Sequence, residues 1–237
     1  MPEVIFNGSA GRIEGRFHSA KEKDAPVALI LHPHPSHGGT MNSKIVYTLY
    51  RCFVDQGFST LRFNFRGVGR SEGSYDKGEG ELSDAASALD WLQSINPQAH
   101  RFWVAGFSFG AWIGMQLLMR RPELEGFISV SPPANLYDFN FLAPCPVSGQ
   151  ILQGNADTVV PHESVTHLVQ KLRNQKGIKI DYQLIEGSDH YFTDSLTGLR
   201  NHVDHYLNQR LAPFRQSLAS HNAPAELGAC RLIAASK

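Results

Sequence analysis

The sequence has few cysteines, no surplus of charge in either direction and no unbroken apolar stretch of bilayer-spanning length. Three cysteines in 237 residues, Cys52, Cys145 and Cys230, are too few and too scattered for a disulfide framework or a Cys-x-x-Cys metal site. Such scarcity fits a reducing cytoplasm. Twenty-two basic residues balance 22 acidic ones, so no global field draws the chain to nucleic acid or to an anionic membrane. A small neutral molecule is the expected substrate. The opening stretch MPEVIFNGSAGRIEG lacks the basic region and apolar core of a secretory signal. The nearest approach to a membrane span, FWVAGFSFGAWIGMQLLM (102–119), is interrupted by glycine, serine and glutamine, and reads as a buried strand running into a buried helix. No repeat of fixed period and no Pro- or Gly-rich linker divides the chain. It reads as one domain over residues 1–212, followed by an Ala- and Ser-rich tail, 213–237. That tail suits a loose helix, a disordered end or a partner-binding strip. Homo-oligomerisation stays open.

What is present is a regular alternation. The β-branched or apolar runs VALILH (27–32), STLRFNF (59–65), FWVAGF (102–107), FISVS (127–131), SGQILQG (148–154) and KIDYQLIE (179–186) read as strands. Between them, apolar residues recur at helical spacing: Ile45, Val46, Leu49, Tyr50 and Phe53; Leu82, Ala85, Ala86, Leu89 and Leu92; Val165, Leu168, Val169 and Leu172; and lastly Leu196, Leu199, Val203, Leu207 and Leu211. This pattern predicts an α/β fold, a mostly parallel twisted sheet with helices on both faces. VIFNG and RIEGRFH, joined by a glycine-bearing turn, predict an antiparallel hairpin at its N-terminal edge.

The stretch GFSFG places Ser108 between Gly106 and Gly110, where a predicted strand meets a predicted helix. A G-x-S-x-G motif in that position is a nucleophile elbow. The turn is so sharp that the serine is strained and only small residues fit at either side, while the hydroxyl is presented beside a helix N-terminus. Ala111 and Gly114 extend the small face against the sheet. Serine is a weak nucleophile unless a base takes its proton and a third group orients that base. Chain order then points to Asp157, just after SGQILQG, as the acid and to His190, just after the last strand, as the base. Asp138 is the alternative acid; Asp181 lies at the wrong end of its strand, and Asp189 adjoins the histidine. His162, His167, His202 and His205 fall on helices, where surface or satisfied side chains are the expectation.

The oxyanion of an acyl-transfer intermediate needs two N–H donors. Phe109, after the nucleophile, supplies one, and the loop HPHPSHGGTMNSK supplies the other. Pro33 and Pro35 have no N–H, which leaves His34 as donor, with Gly38 and Gly39 letting the chain turn into the next helix. His32, His34 and His37 do not have a recognised metal spacing, and no Cys or carboxylate cluster completes a site, so neither metal nor cofactor is expected. FNFRGVGRSEG fails both nucleotide-binding patterns and reads as structural, with Arg66 able to pair with Asp84.

LHPHPSHGGTMNSK, FNFRGVGRSEG and GFSFGA together resemble the α/β-hydrolase superfamily from about residue 25 to 211. They are similar to compact bacterial members related to its dienelactone-hydrolase and serine-peptidase branches, with serine where dienelactone hydrolases use cysteine. The resemblance implies the α/β-hydrolase fold and the triad roles but not the substrate. Many relatives insert a helical lid between FISVS and SGQILQG. Here that connection has 16 residues (132–147), so no large cap domain fits. Its Leu136, Tyr137, Phe139, Phe141 and Leu142 are expected to line the pocket with Met41, Phe109 and Trp112. The expected activity is hydrolysis of a small carboxylic ester, thioester or lactone. A peptidase or amidase, and a non-catalytic binding protein of the same fold, are the rivals.

Overall fold

The computed structural model describes residues 2–221, with side chains up to residue 213. The chain opens with strands β1 (Glu3–Gly8) and β2 (Gly11–His18). It then alternates β3 (Val27–Leu31), α1 (Lys44–Asp55), β4 (Ser59–Phe63), α2 (Glu79–Ile95), β5 (Phe102–Phe107), α3 (Phe109–Leu118), β6 (Leu124–Val130), β7 (Gly149–Gly154), α4 (His162–Arg173), β8 (Ile180–Ile185) and α5 (Leu196–His221). These strands form one eight-stranded sheet in the order β1-β2-β4-β3-β5-β6-β7-β8. The β1–β2 hairpin is antiparallel and joins β4 antiparallel, whereas β3 to β8 run parallel. The sheet is therefore the mixed one predicted, with its antiparallel hairpin at the edge.

Strand alternation divides the core into two layers. Val27, Leu29 and Leu31 of β3 turn toward α2, α3 and α4, while Ala28 and Ile30 turn toward α1 and α5. The stripe Ile45, Val46, Leu49, Tyr50 and Phe53 is wholly inside, as its spacing requires. Gly114 lets α3 lie close to β5, since a Cβ there would stand 3.2 Å from Cγ2 of Val104.

Strand order sets the place of the site. The sequence reverses direction across the sheet between β3 and β5, which are direct neighbours with Leu31 in register with Gly106. In open α/β sheets such a switch point opens a crevice at the strands' carboxyl ends. The loop after β3 and the turn after β5 meet there.

Strand ends mostly shift by one or two residues, and two boundaries differ more from the sequence reading. β6 begins at Leu124, ahead of FISVS, and α5 runs through Pro213 to His221. A proline within a helix removes one N–H, which here would have served the Gln209 carbonyl, without ending the helix. Residues 222–237, most of the predicted tail, lie outside the described residues.

Candidate active site

Ser108 occupies the turn between β5 and α3 with φ 53° and ψ −118°, a backbone conformation that L residues rarely adopt. Its N–H donates to the Val130 carbonyl of β6 at 2.8 Å, and its carbonyl accepts the N–H groups of Ala111 and Trp112. Both flanking glycines are required sterically. A Cβ at Gly106 would come to 2.6 Å from the Ala111 nitrogen, and one at Gly110 to 2.6 Å from the His32 carbonyl oxygen. Phe109, first residue of α3, has no acceptor for its N–H within the helix.

The loop after β3 is held from both sides. Residues Pro35–His37 form a 3₁₀ turn that ends at Gly38, where φ is 78°. The His34 carbonyl accepts from the N–H groups of His37 and Gly39, each at 3.1 Å. A side chain at Gly39 would run into the Pro33 carbonyl. Among the described residues no acceptor is recorded for the His34 N–H. Its ring packs 5.0 Å from that of Phe109, which brings the two predicted oxyanion donors to neighbouring segments.

His32 is used up by the fold. Its ring is completely buried, with Nδ1–H donating to the Pro33 carbonyl at 2.6 Å and Nε2 accepting from the Phe65 N–H at 3.0 Å. Burial is the largest influence and lowers its pKa to about 4. The unfolded chain will thus take up this proton near the ordinary pKa of about 6.5. Stability contributed by neutral His32 is complete above that value and is lost as pH falls toward about 4. Denaturant titrations should register a loss of up to about 3 kcal/mol across that window, and His32→Gln should flatten the slope. Among the described residues no group of three His, Cys, Asp or Glu side chains is placed to hold a metal ion.

Asp157 and His190 come together at 2.8 Å, Oδ2 to Nδ1, both buried. The same carboxylate accepts the N–H groups of Val159 and Val160 on Oδ1, at 2.9 and 2.8 Å, and the Gln153 amide on Oδ2 at 3.0 Å. Burial alone would push the carboxyl up. The His190 hydrogen bond, with the Val160 and Gln153 donors, outweighs it and holds the carboxyl below its ordinary value. An ionised Asp157 makes Nδ1 of His190 the donor, leaving Nε2 free of the proton. The competing aspartates are engaged elsewhere: Asp138 with the Asn140 N–H, Asp181 with Gln150 and Gln183, and Asp189 with Thr193.

A cavity of about 360 Å³ joins these parts. Ser108, His34, Phe109 and His190 all line it. Of the predicted pocket residues, Phe109, Leu136 and Tyr137 are in its wall. Met41 is not, because its N–H and carbonyl are tied to Asn64 and Arg62 beneath the loop. Trp112 stands behind the wall, stacked on Tyr137 at 4.2 Å. Phe139 and Leu142 face a separate groove toward α4, and Phe141 stacks on Phe139. Sequence reasoning missed Lys44, Val159, Tyr191 and Thr193 in the wall and Gln153 behind the acid. Adjacency to Asp157 and His190 was the available signal for the middle three. Arg66 and Asp84 do pair, through contacts of 2.8 and 3.0 Å, and brace the loop after β4.

The family model for X-Pro dipeptidyl-peptidase (S15 family) matches residues 18–175. The chain belongs to this family. Among solved structures, the S15-family chain is similar to an Agrobacterium tumefaciens protein of unknown function named as a candidate α/β hydrolase. The two share 59% identity over 90% of this chain and 97% of that one, with a TM-score of 0.88. An α/β serine hydrolase homologue from Coxiella burnetii is 35% identical over 87% and 97% of the two chains, with a TM-score of 0.77. A Xanthomonas campestris α/β serine hydrolase without lid is 29% identical over 88% and 94%, with a TM-score of 0.78. The S15-family chain is thus an α/β serine hydrolase, and like the last of these it has no lid. No helix among its described residues is long and apolar enough to cross a membrane.

Proposed function

We propose that this S15-family hydrolase cleaves a small carboxylic ester, thioester or lactone through an acyl-enzyme on Ser108. The observation that carries the reading is the 2.8 Å Asp157–His190 contact, with His190 and Ser108 in the wall of one cavity. Nε2 of His190 takes the Ser108 proton as Oγ bonds to the carbonyl carbon, and Asp157 steadies the imidazolium. The N–H groups of His34 and Phe109 receive the negative charge on the former carbonyl oxygen. Collapse breaks the bond to the leaving group, which takes the proton from His190. Water then attacks the acyl carbon, giving its proton to His190. Departure of the acid returns that proton to Ser108.

The family match supports a second reading, cleavage of an amide or peptide bond by the same steps. A non-catalytic binding role has less support, because the acid, base and hydroxyl are all present. Cys52 and Cys145 are buried and form no disulfide among the described residues, which supports a reducing, cytoplasmic setting.

A fluorophosphonate probe tests the reading. It should modify the protein once, and peptide mapping should place the adduct on Ser108. Modification elsewhere, or none, would refute an activated serine at this position.

A further inference from the structure

Charge is one-sided within the cavity. Lys44 is in its wall and no aspartate or glutamate is, although the whole chain is neutral. The ammonium of Lys44 has no carboxylate partner among the described residues, whereas many of the arginines do, Arg66 and Arg121 among them. The nearest acid to the chemistry, Asp157, is buried and already bound to His190.

Part of the rim is apolar and exposed. Leu136 is 64%, Tyr191 60% and Val159 44% exposed, and all three line the same cavity. They come from three segments, after β6, β8 and β7 respectively, which makes a chance cluster of surface residues a poor explanation. Lys44 instead begins α1, after β3. Lys44, Ser108 and these three apolar side chains all line the one cavity.

We infer that the substrate is an amphiphilic ester whose carboxylate or phosphate binds at Lys44 and whose apolar group lies against Leu136, Val159 and Tyr191. This rests on the serine-hydrolase reading above and narrows it. A cationic end, such as the ammonium at the start of a peptide, would meet Lys44 and find no carboxylate in the wall.

The test compares kcat/KM, after subtraction of spontaneous hydrolysis, for 4-nitrophenyl hemiglutarate, 4-nitrophenyl 4-phosphonobutyrate, neutral 4-nitrophenyl valerate and cationic 4-nitrophenyl 4-(trimethylammonio)butyrate. A fifth ester, 4-valeryloxybenzoate, moves the negative charge to the leaving group. At least one anionic ester should exceed the neutral one by about tenfold at low ionic strength, and the excess should shrink as salt is added. Lys44→Met should remove the preference and Lys44→Glu should turn it toward the cation. The proposal is overturned if the ratios are the same in all three proteins, or if the wild type favours the cation.

Binding separates this idea from the catalytic one. Calorimetry on Ser108→Ala should show glutaric acid mono-anilide binding about tenfold more tightly than valeranilide. That difference should vanish in Ser108→Ala/Lys44→Met. A Lys44-dependent difference without any ester turnover supports the anion site and counts against the catalytic reading. Turnover or binding that is indifferent to Lys44 counts against the anion site alone.

Discussion

Ser108→Ala will lower kcat for short 4-nitrophenyl esters by a factor on the order of 10⁴ to 10⁶, because no other hydroxyl takes over covalent attack once the nucleophile of such a unit is gone. Fluorophosphonate labelling will vanish with it. The fold will not suffer. Ser108 makes its recorded hydrogen bonds through the backbone, which alanine retains, so thermal unfolding of Ser108→Ala should stay close to that of the wild type. Ser108→Gly supplies the complementary result. With φ at 53° and ψ at −118° the elbow stores strain of roughly 1–3 kcal/mol, which glycine relieves in part. Glycine should therefore abolish turnover and raise the unfolding midpoint. Wild-type turnover in Ser108→Ala would refute the acyl-enzyme.

Asp157→Asn carries the second large effect. The carboxylate accepts from His190, Gln153, Val159 and Val160, and has no proton of its own to give. An asparagine amide presents two donors at one end. Turned toward Oδ1 it opposes two backbone N–H groups, and turned toward Oδ2 it opposes Gln153 and His190. In the second arrangement His190 answers by holding its proton on Nε2, which cannot then accept the serine's. A loss in kcat approaching 10⁴-fold is expected, with KM little changed. Stability should fall by about 1–3 kcal/mol through the unpaired donors. The pH signature also distinguishes the two proteins. The Asp157 carboxyl titrates below its ordinary value when folded, so its contribution is complete above about pH 4 and is lost as pH falls further. The variant should lack that acid limb while keeping the His32 limb at higher pH. Full turnover in Asp157→Asn would refute its role as the orienting acid.

The fold was legible because period and chain order act locally. Strand β5 was read to its exact ends, and the i, i+3, i+4 stripe of α1 is buried as its spacing demands. The meeting of Ser108, Asp157 and His190 at one rim was legible for a related reason. Parallel strands all deliver their following residues to one rim, so position after a strand becomes position in space. Side-chain direction within a loop has no such rule. Phe139 and Leu136 are equally apolar neighbours, yet one is buried toward α4 and the other opens to the cavity. Met41 looked like a wall residue until Asn64 and Arg62, distant in sequence, proved to hold its backbone. Gln153 lies within a strand whose residues are all buried, so alternation gives no sign that it supports the acid. Lys44 was invisible to a whole-chain sum, because net charge averages away any local imbalance.

The short passage from β6 to β7 has a kinetic consequence. With no lid among the described residues to swing aside, association should follow simple second-order kinetics instead of saturating at a conformational step. The same openness would leave the acyl group of the proposed intermediate in contact with bulk solvent. If the acyl-enzyme forms as proposed, water at about 55 M should outcompete scarcer acceptors and favour cleavage over transfer of the acyl group to another alcohol or amine.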